Sequence, residues 1–310
     1  HEYTQAIVKS FVMKTITSFI LLFFCCLPFH SRSQKIDTRV LIEDIQFLSS
    51  DQLEGRSVTT EGNQKAASYI KERFKDLDLS SQFPDYTQSF SLNEDLEQEG
   101  HGENIIGFVP GFASSKIILI MAHYDHLGTK GKDIYNGADD NASGTAALLN
   151  MAAYFKENRP LHSILFAATD AEEEGLLGAK ALLKDFPFPL NQIQLVVNMD
   201  MISRSEDNTL YAVGTRFYPQ FKPYLEKSGK KSAIQLVCRN DGGKGELDWT
   251  NASDHGPFHK KGIPFIYFGV PDHKDYHKPT DTFKNIDQTF YTQACELILN
   301  SILEIDAALE

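Results

Sequence analysis

Five short stretches of this 310-residue chain carry side chains whose types suit a metal centre. They are His123-Tyr124-Asp125, the Asp139 and Asp140 pair inside GADDNASG (137–144), and Glu172-Glu173-Glu174 inside DAEEEGLLG (170–178). Asn198-Met199-Asp200 and the histidine of DYHKPTDT (275–282), His277, complete the set. Imidazole nitrogens and carboxylate oxygens bind divalent ions at about 2 Å, so ligands this far apart in sequence serve one ion only if the fold brings them together. A carboxylate left out of the ligand set beside the ion is the usual agent for moving a proton to or from water.

The surrounding pattern supplies that convergence. Residues 117–121 are continuously apolar and deliver His123 to the end of a strand, and an alanine- and leucine-rich helix over 144–157 follows GADDNASG. Strands are expected at 163–168, 192–198, 209–213, 233–237 and 263–268, with helices to 184, over 221–227, over 254–260 and from 287. Upstream, 38–48 and 65–77 have helical periodicity, 51–63 reads as a polar loop, and 86–92 and 104–109 read as strands. Alternating strands and helices predict an α/β three-layer sandwich with a mostly parallel, mixed central sheet. His123, the glutamates, Asp200 and His277 all follow strands, and ligands in open α/β sheets gather beyond the carboxyl ends of strands.

Each motif alone has a plain structural reading. A histidine at a strand end is often only hydrogen-bonded, a glutamate run suits a helix start, and Asn-Met-Asp recurs by accident. Asp200, however, ends an apolar strand, where an unpaired carboxylate is costly. Together and in this order the residues point to a metal site. His126, His259 and His273 read as loop or surface histidines. Ser253-Asp254-His255 are sequence neighbours and cannot form a hydrolytic relay, so they shape a pocket or cap the short helix.

The formal charge of −12 argues against nucleic acid and against anionic membranes. Residues 13–33 look like a signal peptide: Lys14, an apolar run over 16–29, then Ser31-Arg32-Ser33. The run is shorter than the ~20 residues of a spanning helix, so no stable membrane anchor is expected and the protein is expected to be exported, periplasmic or secreted. Cys25 and Cys26 leave a lipoprotein as the alternative. Residues 1–12 read as an upstream extension and 34–310 as a single catalytic domain. Beyond the signal only Cys238 and Cys295 remain, which allows one disulfide or two free thiols. Oligomeric state is left open.

The sequence resembles the co-catalytic di-zinc aminopeptidases, a family that includes secreted bacterial leucyl aminopeptidases, glutamate carboxypeptidase II and the glutaminyl cyclases. The likeness runs from LSSDQLEGR through EGNQKAASYI, NIIGFVPG, MAHYDHLG, GADDNASGTAALLNMA, DAEEEGLLGAK and NMDMISR to DYHKPTDT. It implies a phosphorylase/hydrolase-like fold and two zinc ions, with cobalt or manganese also compatible with such ligands. By the same resemblance His123 and Asp200 hold one ion, Glu173 and His277 the other, and Asp140 bridges them. Asp139 is a neighbour without a ligand role, Glu172 the general base, Asp125 the carboxylate behind His123, and Tyr276 a substrate contact. A cis peptide is implied at Asp140–Asn141.

The expected activity is removal of N-terminal residues from peptide substrates. A glutaminyl cyclase is the alternative, but relatives of that type carry an insertion after the glutamate pair, and 172–178 is continuous here. Inserted-lid hydrolases and multi-domain carboxypeptidases need segments for which this chain has no room. A non-catalytic binding protein is a third possibility. Trp249, the 240–250 loop, Tyr276 and Arg204 are the candidates for setting substrate preference, although Arg204 equally suits a structural ion pair.

Overall fold

A computed structural model describes residues 36–92, 100–112 and 114–309; the expected extension and signal peptide lie outside the described residues. The unit over 35–310 is built on a nine-stranded sheet. Its first helices are α1 (Thr38–Leu48) and α2 (Glu61–Asp76). β1 (Ser80–Ser81), β2 (Thr87–Ser91), β3 (His101–Val109) and β4 (Ser114–His123) follow, then a small hairpin of β5 (Gly128–Lys130) and β6 (Asp133–Tyr135). α3 (Gly144–Glu157), β7 (His162–Thr169), α4 (Leu177–Lys184) and β8 (Ile193–Met199) continue the alternation. The chain closes with β9 (Thr209–Val213), α5 (Lys222–Gly229), β10 (Gln235–Cys238), α6 (His255–Lys260), β11 (Phe265–Gly269) and α7 (Gln288–Asp306).

The sheet order is β1-β3-β7-β4-β8-β11-β9-β10, with β2 also on β3. β7, β4, β8 and β11 run parallel at its centre, and the antiparallel pairs lie towards the flanks. Because these four are parallel and in register (His123 opposite Thr169, Met121 opposite Asn198, Tyr267 opposite Asn198), their carboxyl ends share one edge.

Burial on both faces explains the apolar run in β4. Ile118, Ile120 and Ala122 pack with α1, α2, α3 and α7, while Ile117, Leu119 and Met121 pack with α4 and α6 on the other face. Each fully buried Ile or Leu contributes roughly 1.5–3 kcal/mol, so the centre of the sheet is strongly stabilised. No helix among the described residues is long and apolar enough to cross a membrane.

The polar stretch 51–63 is more ordered than expected. Asp51–Arg56 forms a 3-10 turn, and α2 begins at Glu61 because the Thr60 hydroxyl accepts the Asn63 N–H. α1 and α7 are capped in the same way by Asp37 and Asp287. Cys238 and Cys295 are both free thiols, the latter buried.

Candidate metal centre

β4 places His123 at the edge, buried, with its Nδ1 3.2 Å from the Asp125 carbonyl oxygen and 3.5 Å from an Asp125 carboxylate oxygen. That fixes the ring so that Nε2 faces Asp200 Oδ1 at 3.3 Å and Asp140 Oδ1 at 3.4 Å. The other oxygen of Asp140, Oδ2, lies 3.1 Å from His277 Nε2, and His277 Nε2 is also 3.3 Å from Glu173 Oε2. One carboxylate thus faces His123, paired also with Asp200, and His277, paired also with Glu173, with His126 Nδ1 farther off at 3.8 Å from its Oδ2.

The sequence of GADDNASG explains how Asp140 is held. Gly137 has φ 54°, and Gly144 lets α3 approach β8 so closely that a Cβ there would sit 2.3 Å from the Met199 carbonyl. Asn141 donates to that carbonyl and accepts the Gly144 N–H. Asp281 accepts the N–H groups of Asp139 and Asp140. The Asp140–Asn141 peptide is cis. Asp139 points elsewhere: its Oδ1 accepts from the Ser203 N–H and hydroxyl, and its Oδ2 pairs with His273 at 2.9 Å.

Glu172 and Glu173 follow β7 in a tight turn, in which the Glu172 carbonyl accepts from Gly175 and Leu176 and leads straight into α4 without an insertion. The Asp125 carboxylate accepts the N–H of both glutamates, at 3.1 and 3.2 Å. Two groups lie near enough to meet one ion each, His123 with Glu172 and Asp200, and His126 with Asp140 and Glu173; Asp140 also faces His123.

The electrostatics follow from burial and crowding. Burial pushes the Glu172 carboxyl well above its ordinary range, with the Asp200, Asp254 and Glu173 charges adding to it and His123 opposing. Burial opposes a charge on His123, yet Asp200 and Glu172 raise it well above normal. Hydrogen bonds to Asp140 and Glu173 lift His277 to about 10. The ion pairs that Asp140, Glu173 and Asp200 make are with histidines. A buried group of this many carboxylates fits a cation, and a donor set of imidazole and carboxylate fits zinc and also cobalt or manganese.

Asp140, Glu172, Glu173, Asp200, Trp249, Tyr267, Tyr276 and His277 line one cleft. Tyr276 stacks on His277 with ring centroids 3.9 Å apart, and Trp249 packs edge-on against Tyr267. Arg204 is taken by Asp275 at 2.6 Å, the structural alternative foreseen for it.

Two expectations need correction. His126 is buried beside the cluster, its Nδ1 2.7 Å from Glu173 Oε1. His273 lies on a loop as expected, with its ring held on Asp139. Asp254 precedes α6 but makes no capping bond there and accepts from the Thr169 hydroxyl instead. Arg56 carries no marker in the sequence pattern. This fully buried guanidinium donates to the carbonyls of Leu48, Tyr124, Asn136 and Gly137.

Residues 104–302 match the sequence profile of peptidase family M28. An aminopeptidase of Bacillus subtilis, YwaD, is 29% identical over 218 residues, which cover 65% of this chain and 44% of that protein. The chain spans about half the length of the curated relatives it matches. Among solved structures, the zinc aminopeptidase BSAP from Bacillus subtilis superposes with a TM-score of 0.69 at 19% identity, covering 88% of this chain and 96% of that one. A Bacteroides thetaiotaomicron glutaminyl cyclase superposes with a TM-score of 0.71 at 18% identity, covering 87% and 98%. At these identities the superpositions show the shared fold.

Proposed function

The chain belongs to peptidase family M28, and from that premise we propose that it is an exported metallo-aminopeptidase that hydrolyses N-terminal residues from peptides. The observation that carries this reading is Asp140, whose Oδ1 faces His123 and whose Oδ2 faces His277. That arrangement suits a pair of divalent cations, zinc foremost: His123 and Asp200 would hold one, Glu173 and His277 the other, and Asp140 both. Bound there, the ions would supply Lewis acidity towards the scissile carbonyl and towards water.

The chain's own residues account for the rest. Glu172 takes the proton of the attacking water and returns it to the nitrogen of the departing amine. Burial beside Asp200, Asp254 and Glu173 raises its affinity for that proton, and a carboxylate outside the ligand set can pass it on. Asp125 holds the Glu172–Glu173 turn against His123, so base and ligand keep a fixed offset. Tyr276 contacts the substrate from the cleft wall, and Trp249 and Tyr267 offer an aromatic surface to the first side chain. Export rests on the 13–33 stretch. The unbroken turn from Glu172 into α4 favours hydrolysis over cyclisation.

The test is a panel of aminoacyl-nitroanilides assayed with zinc, before and after chelation. Cleavage that chelator abolishes and zinc restores is expected. No chelator-sensitive cleavage of any member, together with cyclisation of an N-terminal glutamine, would replace this reading with a cyclase.

A further inference from the structure

His126 follows the His-Tyr-Asp motif directly. Its ring is fully enclosed. The main chain is tied by the His126 N–H donating to the Arg56 carbonyl at 3.2 Å. The ring lies against Gly137, where a Cβ would come within 2.6 Å of its Cγ and Cδ2. The Arg56 guanidinium in turn donates to the Gly137 carbonyl at 3.0 Å. These linked contacts seat the imidazole in a built socket.

Within that socket the two nitrogens are unequal. Nδ1 lies 2.7 Å from Glu173 Oε1, and Nε2 is buried without a partner among the described residues. A carboxylate only accepts, so a hydrogen on Nδ1 makes a charge-assisted bond, whereas the opposite tautomer sets a lone pair against Glu173 and leaves an orphaned N–H. Glu173 Oε1 is thereby occupied, and its other oxygen, Oε2, is the one that faces His277.

We propose that His126 is a positioning residue that donates from Nδ1 to Glu173 Oε1 and makes Glu173 a one-oxygen ligand, through Oε2, of the ion shared with His277 and Asp140. This rests on the two-ion reading above. Fixing a ligating carboxylate in this way typically changes metal affinity by 10–100-fold, and here the effect falls on one ion of the two.

The experiment is a zinc titration of the metal-free full chain by calorimetry, with cobalt absorption spectra as a second readout. Wild type, His126→Ala and His126→Asn are compared; the asparagine amide can place a donor near the former Nδ1. Wild type is expected to bind two ions. His126→Ala is expected to bind one ion normally and the other 10–100-fold more weakly, and His126→Asn to recover part of the loss. Two ions bound by His126→Ala at wild-type affinity would overturn the inference and leave the two-ion reading intact. A wild type that binds no zinc would overturn both. If His126→Ala does not fold, nitrogen-15 NMR of the wild-type imidazole decides: a hydrogen on Nδ1 supports the proposal, and one on Nε2 overturns it.

Discussion

The Asp125 carboxylate accepts the Glu172 backbone N–H at 3.1 Å, although the two residues are 47 positions apart. Its other oxygen accepts the Glu173 N–H at 3.2 Å, and the same residue faces His123 Nδ1. A single aspartate thus couples the histidine at the end of β4 to the glutamate turn at the end of β7. Asp125→Ala should weaken zinc binding by 10–100-fold and lower turnover further, since both glutamates lose their anchor. Calorimetric zinc titration beside nitroanilide kinetics measures this. Unchanged affinity would show that the turn holds itself.

Arg56 is the buried cation behind the site. Burial lowers its guanidinium to about 10, against the pull of Asp125, Asp140, Asp281 and Glu173, so it stays charged at neutral pH. Arg56→Met leaves the carbonyls of Leu48, Tyr124, Asn136 and Gly137 without that donor. At about 1–3 kcal/mol for each orphaned buried group, with partial relaxation, a loss of at least ~3 kcal/mol is expected in urea unfolding. Arg56→Lys should recover only part, because an ammonium lacks the planar fork.

Asp254 gives a pH dependence of known sign. It is fully buried, its Oδ1 has no partner among the described residues, and burial raises it to about 7, with His123 and the Thr169 hydroxyl opposing. The folded chain keeps this proton up to about pH 7, whereas the unfolded chain releases it near pH 4. Between those values the native state binds more protons, so the contribution favours folding at low pH and is lost as pH rises through about 7. Compared with Asp254→Asn, the metal-free wild type should lose up to ~1.4 kcal/mol of stability per pH unit across that window. Urea midpoints at pH 5, 6, 7 and 8 measure it; parallel curves for the two proteins would contradict the assignment.

The parts of the site that sit on strand ends were legible in the sequence because parallel pairing sends every such end to one edge. His123, Asp200 and the glutamates follow from that rule, and the helix and strand alternation follows from apolar periodicity. The Asp139 and Asp140 pair could be divided only through the family resemblance, since nothing local distinguishes two adjacent aspartates. In the fold, Asp139 turns to Ser203 and His273 while Asp140 faces the histidines. His126, expected to be a loop or surface histidine, and Arg56 were not legible as parts of the site for a different reason. Both lie in irregular stretches, where no periodicity marks an inward side chain. Their burial depends on each other and on the left-handed Gly137. Thr60 was a readable cap signal that the polar character of 51–63 obscured.

In the proposed reaction Asp140 bridges two ions while Glu172 stays free to carry protons. Zinc-edge anomalous diffraction from crystals of the zinc-loaded chain tests it most directly. Two peaks about 3.5–4 Å apart are predicted, one against His123 and Asp200 and the other against Glu173 and His277, with an Asp140 oxygen on each and Glu172 on neither. A single peak, or Glu172 standing in the bridging place of Asp140, would contradict the account.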